Sequence, residues 1–227
     1  MGKDKLKRFA ENLTFENLFQ YQYEDLQTPD AFPLKGKWRQ DYFRNDHPII
    51  VEVGCGKGDY TTGLAAMYPD KNFIGFDRQG ARLWRGCRNA IENNLANVAF
   101  VRTNIQFIEH FFATDEVDEI WVTFPDPQPC KPNHRKRLTS PTFLKRYANI
   151  LKPDGIMHLK TDSDFFFDFT LETIAEGNHE ILFKSHDLYG DEVKDDVSKI
   201  QTFYEKMWLE QGFKIKYVRF KINSASL

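Results

Sequence analysis

From His47 onward the chain alternates short apolar, β-forming runs with segments whose apolar residues recur at helical spacing. The apolar runs predict strands near 48–53, 72–76, 97–102, 119–124 and 155–160, and the segments between them predict helices near 59–68, 79–94, 105–112, 141–151 and 163–176. In the fourth of these helices, Phe143, Leu144, Tyr147, Ile150 and Leu151 form one apolar face with Lys145 and Arg146 alongside. Pro69, Pro141 and Pro153 punctuate helix ends or starts, and Lys152-Pro153-Asp154-Gly155 reads as a turn into the following strand. Two further strands are expected at 180–187 and 213–222, around a helical patch at 198–211. Short connections and right-handed crossovers make the first five strands parallel, with the last pair an antiparallel addition at one edge. The expected fold is α/β: a doubly wound, mostly parallel seven-stranded sheet of Rossmann-like type with an antiparallel edge strand. Residues 1–46 are polar and aromatic and read as an N-terminal extension, partly mobile, ahead of a single domain over 47–227. The basic opening of that extension (Lys3, Lys5, Lys7, Arg8) is either mobile or in contact with a polyanion.

Composition changes this picture little. A chain of 227 residues supports one sizeable core, and 41% apolar residues argue against disorder. Cys55, Cys87 and Cys130 form no C-x-x-C pair, which fits a reducing compartment and suggests no metal site. No apolar run approaches the ~20 residues of a membrane span, and Met1–Leu13 lacks the apolar core of a signal peptide. A cytoplasmic protein without a membrane partner is expected, as monomer or homodimer.

The chemistry concentrates at the predicted carboxyl ends of the strands. Ile49–Val53 leads into glycines at Gly54, Gly56 and Gly58, which allow a turn to pass close to a ligand. Asp59 stands where a dinucleotide fingerprint would place its third glycine. Asp77, nineteen residues after Gly58, ends the second strand, where a carboxylate can accept both hydroxyls of a ribose. Glu52 adds an acid suited to a cationic amine rather than a pyrophosphate, so the set favours S-adenosylmethionine over NAD. Asp126 is flanked by Pro125 and Pro127, which bar a helix and hold it at the sheet's rim. The adjacent run from Pro127 to Pro153 has no acid but carries Lys131, Arg135, Lys136, Arg137, Lys145, Arg146 and Lys152, a pattern that suits nucleic-acid phosphates. Asn104 is placed either for an adenine edge or for a turn. Asp162 is either a ligand contact or the N-cap of the helix at 163–176, and Thr202-Phe-Tyr-Glu205 has the spacing of a capping box.

Taken in order, Glu52-Val-Gly-Cys-Gly-Lys-Gly58, Gly75-Phe-Asp77, Phe124-Pro-Asp-Pro127 with its basic sequel, Lys160-Thr-Asp162 and Thr202-Phe-Tyr-Glu205 resemble the tRNA (guanine-N7-)-methyltransferase family of class I S-adenosylmethionine-dependent enzymes. The resemblance runs from about residue 47 to the C-terminus. It implies that Glu52, the glycines 54, 56 and 58, Asp77, Asn104 and Asp126 line the cofactor site, that Asp162 and the segment from Thr202 to Glu205 contact the guanosine, and that Lys131 binds the tRNA substrate. It also implies a target guanine in the variable loop. The chain departs from the family pattern at Gln128, where a tryptophan is usual, and at Cys130, where a lysine is expected and Lys131 is the neighbour.

Guanine N7 carries a lone pair and no proton, so its methylation needs no obligatory general base. Alignment and electrostatics should carry the reaction, with Asp126 as the catalytic carboxylate favouring the developing positive charge. The alternatives are a class I methyltransferase with a non-RNA substrate and a non-catalytic RNA-binding module on the same fold. A NAD dehydrogenase ranks last, for want of the third fingerprint glycine.

Overall fold

The strands of the sheet are β1 (Leu18–Gln20), β2 (Ile49–Val53), β3 (Asn72–Asp77), β4 (Val98–Arg102), β5 (Val117–Thr123), β6 (Leu151–Thr161), β7 (Glu180–Ser185) and β8 (Lys216–Lys221). They lie in the order β1-β4-β3-β2-β5-β6-β8-β7. The structure, a computed structural model, describes residues 2–28, 30–191 and 196–226. Strands β1 to β6 pair in parallel, and β8 runs antiparallel to both β6 and β7. The helices are α1 (Gly2–Glu11), α2 (Asp59–Met67), α3 (Gly80–Glu92), α4 (Pro141–Ala148), α5 (Asp164–Glu176) and α6 (Phe203–Glu210). Among the described residues no helix is long and apolar enough to cross a membrane.

Two layers cover the sheet. On one side Val51, Val53, Ile74, Phe76, Val122 and Leu159 join apolar residues of α4 and α5 in a single buried cluster. On the other side α2 and α3 contribute Tyr60, Leu64, Leu83 and Cys87. Because strand side chains alternate between faces, this second face also receives Glu52, Trp121, His158 and Lys160.

Three expectations change. The sheet has eight strands rather than seven, because Leu18–Gln20 pairs with β4; three residues are too short to show an alternation. Within the N-terminal segment, Phe32 and Trp38 are buried in the main cluster, and the Trp38 indole donates to the Phe111 carbonyl at 2.9 Å. The Glu116 carboxylate, which accepts from the Gly36 amide at 2.9 Å, and an Arg39–Asp118 pair at 2.8 Å tie that segment to the start of β5. The helix expected at 141–151 stops at Ala148, and Leu151 already pairs with Val117. The turn at 152–155 is a bulge inside β6, since the next pair is Glu119 with Ile156.

Candidate active site

The carboxyl ends of the parallel strands β2 to β6 lie along one edge of the sheet, where an open α/β sheet holds its ligand crevice. At its floor the chain turns sharply through Gly54, Gly56 and Gly58, all in the left-handed region. At Gly58 the need for glycine is twofold: φ is +72°, and a Cβ would lie 2.7 Å from the Phe100 ring. At Gly56 a Cβ would meet nothing within 4 Å, so the crest of the turn is open to a ligand. Asp77 closes on this turn, accepting the Gly56 amide at 3.0 Å and the Gln79 amide at 2.7 Å. Burial raises its pKa, and these two amides oppose the shift.

Glu52 lies beneath the rim rather than on it. It is 4% exposed, and its two oxygens accept the hydroxyls of Thr61 and Thr123. Burial pushes its pKa up to about 7 against the pull of those hydroxyls. Asn104, exposed beyond β4, uses its side-chain oxygen to accept the Gln106 amide at 3.2 Å, which realises the turn role.

Beyond β5 the backbone takes positive φ at both Phe124 and Gln128, so the intervening Pro-Asp-Pro is held in a kinked loop. Asp126 is exposed on that loop and accepts the Gln128 amide at 3.1 Å. Arg137 clamps the loop from behind. Its Nε and Nη2 donate to the Gln128 carbonyl at 3.2 Å each, while its guanidinium lies 4.5 and 4.3 Å from the rings of Phe165 and Phe169. Arg137 is buried, and so leaves the set of cations expected to face phosphate. Arg146 is paired with Glu109, and Lys152 with Asp118 at 2.5 Å. Sequence proximity grouped these cations, but the fold sends them to separate partners. Arg135 and Lys136 remain exposed. Lys131 begins the short helical turn Lys131–Lys136, and its side chain lies outside the described residues.

On the far side of the crevice, the Ser163 hydroxyl caps α5 by accepting the Phe166 amide at 3.2 Å, so the N-cap expectation for Asp162 is corrected. Asp162 is half-buried at the end of β6, and its carbonyl accepts Lys216 Nζ at 2.9 Å. Thr202 and Glu205 form the capping box of α6: the Thr202 hydroxyl accepts the Glu205 amide at 3.2 Å, and the Glu205 carboxylate accepts the Thr202 amide at 3.3 Å. Glu205 is also fully buried, where it pairs with an equally buried Lys160 at 2.7 Å and accepts the Tyr189 hydroxyl at 2.6 Å. Lys160 further donates to the carbonyls of Val197 (2.8 Å) and Ile200 (3.1 Å). Burial pulls the Lys160 ammonium below its ordinary value, against the field of Glu205. The side chain of Glu205 is thus an internal anchor, and the structure does not present it to the crevice.

Thr61 and Thr123 were not among the residues the sequence singled out, and Arg137 and Lys160 were singled out without their buried roles. Only alternation along β5 carried a signal, since it places Thr123 on the same face as Trp121, whose register partner on β2 is Glu52.

Comparison with known proteins agrees with this geometry. A family model described as "Putative methyltransferase" matches residues 46–218. The fold resembles the crystal structure of the 16S rRNA methyltransferase KamB, with a TM-score of 0.62 at 13% identity over 83% of this chain and 94% of that one. It also resembles a 16S rRNA (adenine(1408)-N(1))-methyltransferase solved with its cosubstrate S-adenosylmethionine, with a TM-score of 0.55 at 14% identity over 86% of this chain and 91% of that one. Full-length relatives are closer in sequence. The tRNA (guanine-N(7)-)-methyltransferase of Christiangramia forsetii is 56% identical over 97% of this chain and 99% of its own length. That of Bacteroides thetaiotaomicron is 49% identical over 98% of this chain and 87% of its own length. With identity at this level across nearly the whole chain, and a crevice built on a methyltransferase fold, the protein belongs to the tRNA (guanine-N(7)-)-methyltransferase family.

Proposed function

We propose that this protein transfers a methyl group from S-adenosylmethionine to N7 of a guanine in the variable loop of tRNA, acting in the cytoplasm. One juxtaposition carries the reading: in the strand order β3-β2-β5, Asp77 and the open glycine turn it closes end two adjacent strands, and the clamped loop that displays Asp126 follows the next. The residues present suit the cofactor. The open crest at Gly56 leaves room for it, and the carboxylate of Asp77 is a natural acceptor for two ribose hydroxyls. Asn104 stands at the end of the neighbouring strand. Glu52, already bonded to Thr61 and Thr123, holds the base of the turn and places negative charge or a proton beneath a cationic ligand.

When bound, the cofactor supplies a methyl group on a sulfonium. The protein's part is to align the guanine and to favour the positive charge its ring acquires. Asp126 does both: it is exposed at the crevice, and its loop is fixed by the positive-φ corners at Phe124 and Gln128 and by Arg137. Asp162, after the end of β6, and Thr202, at the cap of α6, contact the guanosine, while Lys160 and Glu205 hold the start of α6 in place.

Asp126→Asn tests the assignment. Its turnover on unmodified tRNA should fall about 100-fold, the scale of losing one electrostatic group at a reacting centre, while cofactor affinity measured by calorimetry stays within about twofold. Equal losses in both would remove Asp126 from the catalytic role. Digestion of the product to nucleosides identifies the modified base, and label on any base other than 7-methylguanosine would overturn the reaction.

A further inference from the structure

A second basic face lies on the opposite flank of the crevice from Arg135 and Lys136. Arg78 directly follows Asp77 in the loop before α3, and Arg82 and Arg85, three residues apart, share one side of the helix. All three are exposed. The first turn of α3 contains no acid, although a helix N-terminus favours one and disfavours cations. Sequence choice that works against local stability points to a selected use.

Helix α1 extends the same face. The Trp84 indole donates to Glu11 at 2.8 Å, and the Asn12 amide donates to the Gly80 carbonyl at 2.9 Å. The guanidinium groups of Arg8 and Arg88 lie 4.7 and 5.2 Å from the Trp84 ring. These contacts fix α1 on α3 through polar and cation–π interactions, and Lys5 and Lys7 are exposed on α1. Glu11 and Glu92 are drawn to Arg88, at 3.6 and 2.8 Å, and Glu92 also lies 4.0 Å from Arg85, whereas among the described residues the acid on which Arg78 and Arg82 act is Asp77.

We infer that the α1–α3 face, centred on Arg78, Arg82 and Arg85, binds tRNA phosphates, so that the RNA spans the crevice from this face to Arg135 and Lys136. Strands β3 and β5 flank β2, so cations following each of them sit on either side of the position where the target base enters. The chain's net charge of −2 makes such a two-sided positive frame a local construction rather than a global bias. The inference rests on tRNA being the substrate.

The test is direct tRNA binding, without turnover, across a salt series. Arg82→Gln/Arg85→Gln should weaken binding about tenfold near 0.15 M salt and lower the slope of log K against log[salt] by about 1.5, as expected for two lost phosphate contacts. Lys5→Gln/Lys7→Gln should act in the same direction, and Lys184→Gln on β7, at the far edge of the sheet, should leave affinity and slope unchanged. Cofactor affinity of each variant reports its folding at the crevice. An unchanged slope in both double variants would overturn the face. So would loss of binding to vesicles of anionic phospholipid with tRNA affinity intact, an outcome that the 72% exposure of Leu6 on α1 makes worth measuring. Wild-type protein that binds tRNA with this salt dependence yet forms no 7-methylguanosine would refute the reaction and leave the face standing.

Discussion

Replacing Lys160 by Met should be among the most damaging single changes outside the crevice. Both Lys160 and Glu205 are fully buried, and their charged atoms are 2.7 Å apart. Without the ammonium, Glu205 keeps, among the described residues, the Tyr189 hydroxyl and the Thr202 amide as donors, neither of which supplies a counter-charge. Breaking a buried pair from one side costs about 3–5 kcal/mol. For a chain of this length that lowers the melting temperature by roughly 6–20 °C. Glu205→Gln should cost less, about 1–3 kcal/mol, because Lys160 retains the Val197 and Ile200 carbonyls and faces the rings of Tyr60 and Tyr189 at 5.3 and 5.8 Å. In the double variant neither charge is buried, so the cycle should show a coupling of about 2 kcal/mol. Urea and thermal unfolding of the four proteins measure this. A coupling below about 0.5 kcal/mol would refute the buried pair. So would a Lys160→Met protein of native stability that no longer methylates tRNA, since that would make Glu205 a direct contact to the RNA.

Glu52 should impose a pH dependence on stability. Its folded pKa, near 7, lies above the ordinary 4.5, so between those values the folded state holds a proton that the unfolded chain has released. Stability should therefore fall as pH rises through that window, by about 3 kcal/mol at most, and level off above it. Glu52→Gln should flatten the profile, and urea midpoints at pH 5 and pH 8 that already coincide in the wild type would contradict it. Arg137→Met keeps much of the packing on Phe165 and Phe169 but loses both hydrogen bonds to the Gln128 carbonyl. Turnover should drop by about 10–100-fold as the Asp126 loop loosens, with no change in the salt slope of tRNA binding; a reduced slope would mark Arg137 as a phosphate contact after all.

The parallel strands and the helices packed on them were legible because their apolar periods are long and their ends carry proline or glycine. Leu18–Gln20 was not, since a three-residue edge strand has no period and is defined by its partner, β4. The bulge at 152–155 was read as a turn for a related reason: Pro153-Asp154-Gly155 does leave the ladder, but the strand resumes on both sides. At the site, the glycines, Asp77 and Asp126 announced themselves through residue type and neighbours. Charge was the misleading signal. Arg137 and Glu205 carry the same formal charge buried or exposed, and only the fold shows that one stacks between phenylalanines and the other meets Lys160.

Thr123 shows why these buried polar groups sit where they do. It is the last residue of β5, its hydroxyl donates to Glu52, and in the sheet it pairs with Lys160. Glu52 fastens the glycine turn through Thr61 at the start of α2, and Lys160 fastens the start of α6 through Glu205. The glycine turn and the start of α6 are therefore held by neighbouring positions on one sheet face, with Thr123 between them. The Pro-Asp-Pro loop begins immediately after that residue, and the Phe124 amide donates back to the Lys160 carbonyl at 2.8 Å. An apolar sheet face could pack the helices equally well, as the opposite side does with Val53, Val122 and Leu159. It could not fix the orientation of three loops, because dispersion contacts are non-directional whereas each hydrogen bond here accepts a narrow range of angles. The polar face costs desolvation, visible in the raised pKa of Glu52 and the lowered pKa of Lys160, and in return it fixes the geometry of the loops at the proposed site.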